Sequence, residues 1–238
     1  ELGLKGKRVA IIGKNRYEWI LSYMAILLGD MVVVPLDKGL TDIEICNSLI
    51  QSQADCIIFE EKYFDILKQL KDSGKTNLSQ LICMDSINDV KTVEDIISVG
   101  KNGNINEFIN TKIESDKMRI ILFTSGKTSN SKAVMLSHRN IVENIYSMKC
   151  VETFLPTDVN LAFLPYHHTF GSTGQLIMLA SGTTTAFPDG LRQIRENFRE
   201  YKISIFVGVP LLIEAIYEKM NKEIEKQGKA NTLKFAKK

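Results

Sequence analysis

The segment FTSGKTSNSKAVMLSH, residues 123–138, concentrates the groups best suited to holding an anion. Small residues leave backbone N–H groups free to point inward. The hydroxyls of Thr124, Ser125, Thr128 and Ser129 add donors beside Gly126, and Lys127 and Lys132 supply positive charge. Such a set suits a phosphate cradle, and the same composition also suits a polar turn with no ligand. Within the segment, SGKT invites a test as a P-loop, GxxxxGK followed by Ser or Thr. That motif needs a glycine five residues before Gly126, and the residue there is Ile121 in an apolar run, so the backbone nest cannot form and a P-loop is excluded.

The elements around this segment alternate. Residues 7–13 read as a strand, followed by a helix capped by Asn15 that runs through Leu28 and stops at Gly29. Residues 31–36 form the next strand, and Thr41 with Glu44 makes a capping-box signature for a helix to residue 52. Strands at 55–61, 78–85 and 118–126 follow, with helices at 63–70 and 92–99 between them and the last strand running into the loop. Ser137 caps a helix over 138–148, with His138 a surface residue at its start. Strands at 161–168, 183–187 and 203–210 then alternate with helices at 174–179, 191–201 and 211–221, while 100–116 and 149–158 are polar connectors. Continuous Val, Ile and Leu runs in βαβ alternation predict an α/β fold, mostly parallel sheets flanked by helices. In such sheets ligands bind beyond the carboxyl ends of the strands.

Composition removes several function classes. The 238 residues are 44% hydrophobic and 24% charged, with a net charge of +2. That is a globular chain able to bury a core without staples, and it carries no electrostatic footprint for nucleic acid. Cys46, Cys56, Cys83 and Cys150 make no CxxC pair and no metal-ligand cluster. They read as reduced, mostly buried thiols of a cytoplasmic protein. Residues 159–188 carry no Asp, Glu, Lys or Arg, but His, Pro, Gly, Gln and Thr interrupt them, so no transmembrane span is expected. The uncharged stretch suits either an apolar ligand tunnel or a buried sheet. Trp19 and Tyr23, four apart on the first helix, read as core. The chain opens on Glu1 without a signal peptide and reads as trimmed or as a fragment.

TSGKTSNSKAVMLSHRNI resembles the signature loop TSGTTGxPKGV of the AMP-forming, adenylate-forming enzymes, a family of acyl-CoA synthetases, luciferases and adenylation domains. Thr124, Ser125, Gly126, Thr128, Lys132 and Val134 match it. Lys127 stands for Thr, Ser129 and Ala133 for Gly, and Ser131 for Pro. The last three resemble a bacterial long-chain fatty acid CoA ligase subgroup reading TSGTTSMSKAVMLSH, so Lys127 is the eccentric residue. LPYHHTFG, residues 164–171, resembles the LPxxHxxG block that follows in the family, and the likeness extends over the whole chain. The family's later blocks are absent: YGxTE, the TGD aspartate, the hinge and the C-terminal catalytic-lysine domain. The resemblance therefore implies a truncated N-terminal AMP-binding domain with two α/β lobes, 1–152 carrying the phosphate loop 123–134, and 153–238.

What the resemblance implies is ATP-dependent activation of a carboxylic acid, a long-chain fatty acid in that subgroup, to an acyl-adenylate and then acyl-CoA. ATP, Mg²⁺ and coenzyme A would be the substrates or cofactors of the full-length enzyme, and this piece alone would be inactive. Thr124, Ser125, Gly126, Thr128, Ser129 and Lys132 would follow the phosphates, while Lys127 either adds a cation or projects into solvent. The stretch from Ser125 to Lys132 is expected to be exposed and mobile. His168 would lie where the acyl carboxylate meets the nucleotide, an orienting residue beside His167. Gly208, Val209 and Pro210, ending a strand, resemble the acyl-pocket wall, and equally suit a plain strand terminator. No catalytic residue and no metal ligand is assigned. A non-catalytic nucleotide- or partner-binding homologue and an amino- or aryl-acid adenylation domain stay open, as does peripheral membrane contact.

Overall fold

The computed structural model describes residues 2–87, 89–124, 132–188, 190 and 193–228. Five strands, β1 (Arg8–Ile12), β2 (Val32–Leu36), β3 (Cys56–Phe59), β4 (Gln80–Cys83) and β5 (Met118–Thr124), form a parallel array, and β6 (Lys132–Ser137) adds to it antiparallel. Their order is β4-β3-β1-β2-β5-β6. The helices are α1 (Tyr17–Leu28), α2 (Asp42–Ser52), α3 (Phe64–Asp72), α4 (Val93–Gly100), α5 (Ile105–Ile109) and α6 (His138–Val151). Further along, β7 (Val159–Leu161) and β8 (Thr184–Ala186) make a two-stranded parallel sheet with α7 (Thr169–Ala180), α8 (Ile194–Glu200) and α9 (Pro210–Lys226) around it. The α/β class and the mostly parallel sheet agree with the reading from sequence.

Alternation along the strands divides the large sheet's two faces. Val9 and Ile11 of β1, with Val33, Ile58 and Ile120, pack under Trp19, Tyr23 and Ile26 of α1. Ala10 and Ile12, with Val34, Ile57 and Phe59, pack under Ile45 and Leu49 of α2 and Leu67 of α3. A strand covered on both faces has no polar side, so its sequence is a continuous apolar run. Trp19 and Tyr23 are core as expected, their rings stacked at 5.3 Å. Three helix starts are held by capping boxes, Thr41 with Glu44, Thr92 with Asp95 and Ser137 with Asn140. In each, hydroxyl and side-chain oxygen exchange bonds with the two backbone N–H groups that a helix start otherwise leaves without partners.

Several expectations need correction. Asn15 is not the cap of α1, which starts after Arg16 without a side-chain bond. Residues 132–137, read as part of the loop, return as β6, with Val134 and Met135 exposed so that no alternation marks the strand. Inside the polar connector lies the short α5. The strand expected over 161–168 ends at Leu161. The strand expected at 203–210 is reduced to a single bridge between Asn160 and Ile205, and Pro210 opens α9 instead, at the first-turn position where its missing N–H costs nothing. His138 is half-buried: its Nε2 has no hydrogen-bond partner among the described residues, and burial with the nearby Arg119 pushes its pKa down. All four cysteines are free, Cys56 and Cys83 buried, Cys46 partly buried and Cys150 exposed.

Candidate active site

Thr124 is the last residue of β5 and faces Lys132, the first of β6, as the final pair of their ladder. The Thr124 hydroxyl donates to the Lys132 carbonyl at 3.4 Å. Both residues are exposed. The two described ends of the loop therefore meet at the carboxyl edge of the parallel array, where strand ends leave room for ligands. Ser125, Gly126, Lys127, Thr128 and Ser129 lie outside the described residues, as does all but Lys132 of the stretch expected to be mobile.

A second group reaches the same edge from 150 residues away. Asn15, just past β1, donates through Nδ2 to the carbonyls of Ala162 at 2.8 Å and Leu164 at 2.7 Å, and its Oδ1 accepts the Tyr166 N–H at 3.1 Å. These bonds take backbone groups that a strand would have used, which is why 162–168 is irregular. Tyr166 is 2% exposed. Its ring lies 5.3 Å from Trp19 and its hydroxyl donates to Gln175 Oε1 at 2.9 Å; Gln175 Nε2 in turn donates to Thr185 Oγ1 at 2.9 Å. One side chain thus ties the large sheet to the small one, and burial pushes its phenol pKa up.

This tether brings the histidines to the edge. His167 Nε2 lies 3.4 Å from Oδ2 of Asp37, the residue that follows β2. β2 is the direct neighbour of β5. His168 caps the start of α7, exposed, with its ring 4.1 Å from that of His167. Gly171 explains the glycine of the LPYHHTFG block: a Cβ there would sit 2.1 Å from the Pro165 carbonyl oxygen. Only a residue without a side chain lets α7 pack against the loop that carries the histidines. Asp37 was missed in the sequence; its position at the end of an apolar strand run was the available signal.

Two clefts flank the edge. One, a narrow cleft, is lined mainly by apolar groups, among them Leu161, Phe163, Phe170 and Val207, with Gly174 at its wall. Val207 reaches it, whereas Gly208, Val209 and Pro210 do not line it: Val209 is the N-cap of α9, Pro210 its first residue, and Gly208 precedes them. The other, wider, opens beyond β4 and is rimmed by Glu18, Asp85, Asp89, Glu94 and Asp95. Arg16 bridges Glu18 and Asp85, and its hydrogen bond to Glu18 holds that carboxyl below the usual range. A rim of carboxylates repels polyphosphate, so this second cleft does not suit a nucleotide's phosphates. Among the described residues no group of three or more His, Cys, Asp or Glu side chains converges to hold a metal ion. No residue described here is therefore assigned to Mg²⁺.

The chain is 28% identical over 234 residues to long-chain-fatty-acid–CoA ligase 5 of Mus musculus, covering 90% of this chain and 34% of that protein. It is 28% identical over 246 residues to fatty acyl-CoA synthetase B of Dictyostelium discoideum, covering 95% and 36%. Among solved structures, the luciferase-like enzyme of Zophobas morio superposes with a TM-score of 0.77 at 19% identity, covering 88% of this chain and 49% of that one. The N-terminal domain of FACL13 from Mycobacterium tuberculosis superposes with a TM-score of 0.73 at 18% identity, covering 90% and 52%. The chain thus spans about a third of the length of these curated relatives. The family described as AMP-binding enzyme matches residues 1–236, and with nearly the whole chain inside that match, the protein belongs to the AMP-binding enzyme family.

Proposed function

We propose that the protein containing this chain activates a long-chain fatty acid with ATP and passes the acyl group to coenzyme A. The acid's carboxylate oxygen bonds to the α-phosphorus as the bond to the bridging oxygen breaks and pyrophosphate leaves. The thiolate of coenzyme A then bonds to the acyl carbon and AMP leaves. In this reading Thr124, Ser125, Gly126, Thr128, Ser129 and Lys132 donate to the departing phosphates, and the first step is chiefly positioning and charge neutralisation. His168 orients the acid's carboxylate, with the apolar cleft beside it receiving the start of the acyl chain. Mg²⁺, when bound with ATP, supplies further charge neutralisation on the phosphates. The two-lobe division at residues 152 and 153 and a cytoplasmic location belong to the same proposal, the latter supported by four unpaired cysteines. No helix among the described residues is long and apolar enough to cross a membrane.

The observation that carries this reading is the meeting, at one carboxyl edge, of the Thr124–Lys132 pair and the His167–His168 pair. Names of the curated relatives support the fatty acid. Pyrophosphate exchange by the full-length protein tests it. A long-chain fatty acid should support exchange and an amino or aryl acid should not; the reverse outcome refutes the substrate, and no exchange with any acid refutes the activity.

A further inference from the structure

Asp37 is held by its own turn. Its Oδ1 accepts the Gly39 N–H at 2.8 Å, and the Tyr63 hydroxyl donates to the Lys38 carbonyl at 2.6 Å, pinning the residue next to it. Oδ2 is left facing His167 Nε2 at 3.4 Å. That nitrogen is buried without a hydrogen-bond partner among the described residues, on a side chain only 10% exposed. Buried polar atoms are nearly always satisfied, so one that is not, 3.4 Å from a held carboxylate oxygen but outside hydrogen-bond geometry, calls for an explanation. Burial holds the His167 pKa down to about 4, with His168 and Lys38 acting the same way and Asp37 opposing. The contact is therefore neutral imidazole to carboxylate. A neutral imidazole has one N–H, and a carboxylate at Nε2 selects the tautomer that carries it there. His168, by contrast, makes no cap bond with its side chain at the start of α7, and its neighbour's ring packs against it.

We propose that Asp37 and His167 are a positioning pair: the carboxylate fixes the tautomer and orientation of His167, whose ring fixes that of His168 toward the acid. The inference rests on the reading of His168 as the residue that meets the acyl carboxylate. Neither member of the pair touches substrate. Asp37→Asn isolates the effect, because the amide oxygen still accepts from Gly39 while its NH₂ now faces Nε2 and favours the opposite tautomer.

The test uses the full-length protein with isotope-labelled histidine and palmitate-dependent pyrophosphate exchange. His167 should carry its proton on Nε2 in the wild type and on Nδ1 in Asp37→Asn, read from imidazole chemical shifts and assigned with His167→Gln. Asp37→Asn and His167→Phe, which keeps a ring against His168, should each lower kcat/KM for palmitate about tenfold, the low end for a bond to a charged group. KM for ATP should not change, and the double variant should be no worse than either single one. With exchange present, an unchanged tautomer, additive losses or equal effects on both substrates overturn the pair. If the wild type shows no acid-dependent exchange, the functional reading falls and takes this role with it, whatever the tautomers show.

Discussion

Replacing Gly171 with Ala tests whether the histidine loop and α7 are packed as tightly as the geometry requires. The added Cβ would lie 2.1 Å from the Pro165 carbonyl oxygen, 2.7 Å from its carbon and 2.9 Å from the Leu164 oxygen. Real contacts of this kind stay beyond about 3 Å, so α7 and the loop must part by roughly 1 Å, and all three obstacles are backbone that no rotamer change relieves. Overpacking of this sort destabilises by about 1 to 3 kcal/mol, against which alanine's better helix propensity returns about 0.5 to 1 kcal/mol. Gly174, one turn on, is the control, since nothing lies within 4 Å of its missing Cβ. Gly174→Ala should stabilise by up to about 1 kcal/mol. Trp19 is the single tryptophan of the 238 residues and its ring lies tilted 5.3 Å from that of Tyr166, so its fluorescence during urea unfolding reports the affected region. Gly171→Ala should lower the urea midpoint while Gly174→Ala raises it. If both variants shifted the midpoint upward alike, the close approach of α7 to Pro165 would be wrong, and with it the account of the glycine in this block.

Two further outcomes follow from charge. Lys132→Ala in the full-length protein should slow pyrophosphate exchange on the order of ten- to a hundredfold, because a charge-assisted contact to phosphate is worth about 1.5 to 3 kcal/mol; Lys127→Thr should stay within about threefold. A silent Lys132→Ala with an inactive Lys127→Thr would make Lys127 the working cation. His167 and His138 both have folded pKa values below the ordinary 6.5 of histidine, His167 at about 4. The unfolded state therefore binds more protons as pH falls below about 6.5, and stability should drop from there toward about pH 4. The urea midpoint measured across that window checks this, and His167→Gln should flatten part of the fall.

What a few neighbouring residues decide was legible in the chain itself. The apolar runs of β1, β2 and β3, the stop of α1 at Gly29, and the caps Thr41 and Ser137 depend on side-chain alternation or on bonds within four residues. The predicted α/β class follows from their order. The site's loop was legible as chemistry, since small residues, hydroxyls and lysines are informative wherever they stand. Its partners were not. Asn15 read as a cap because its local setting allowed one, yet its donors and acceptor are spent 147 to 151 residues away. Residues 162–168 read as strand because they are apolar, and lost that form to those same bonds. β6 was hidden by its exposed apolar residues, and His138 by a burial that comes with its neighbours Arg119 and Leu27, distant in the chain. Asp37 was one acid among many until folding set it beside His167. Short-range hydrogen bonding and periodicity are written locally, whereas which distant groups share a strand edge, and hence which histidine faces Asp37, is decided only by the packed tertiary structure.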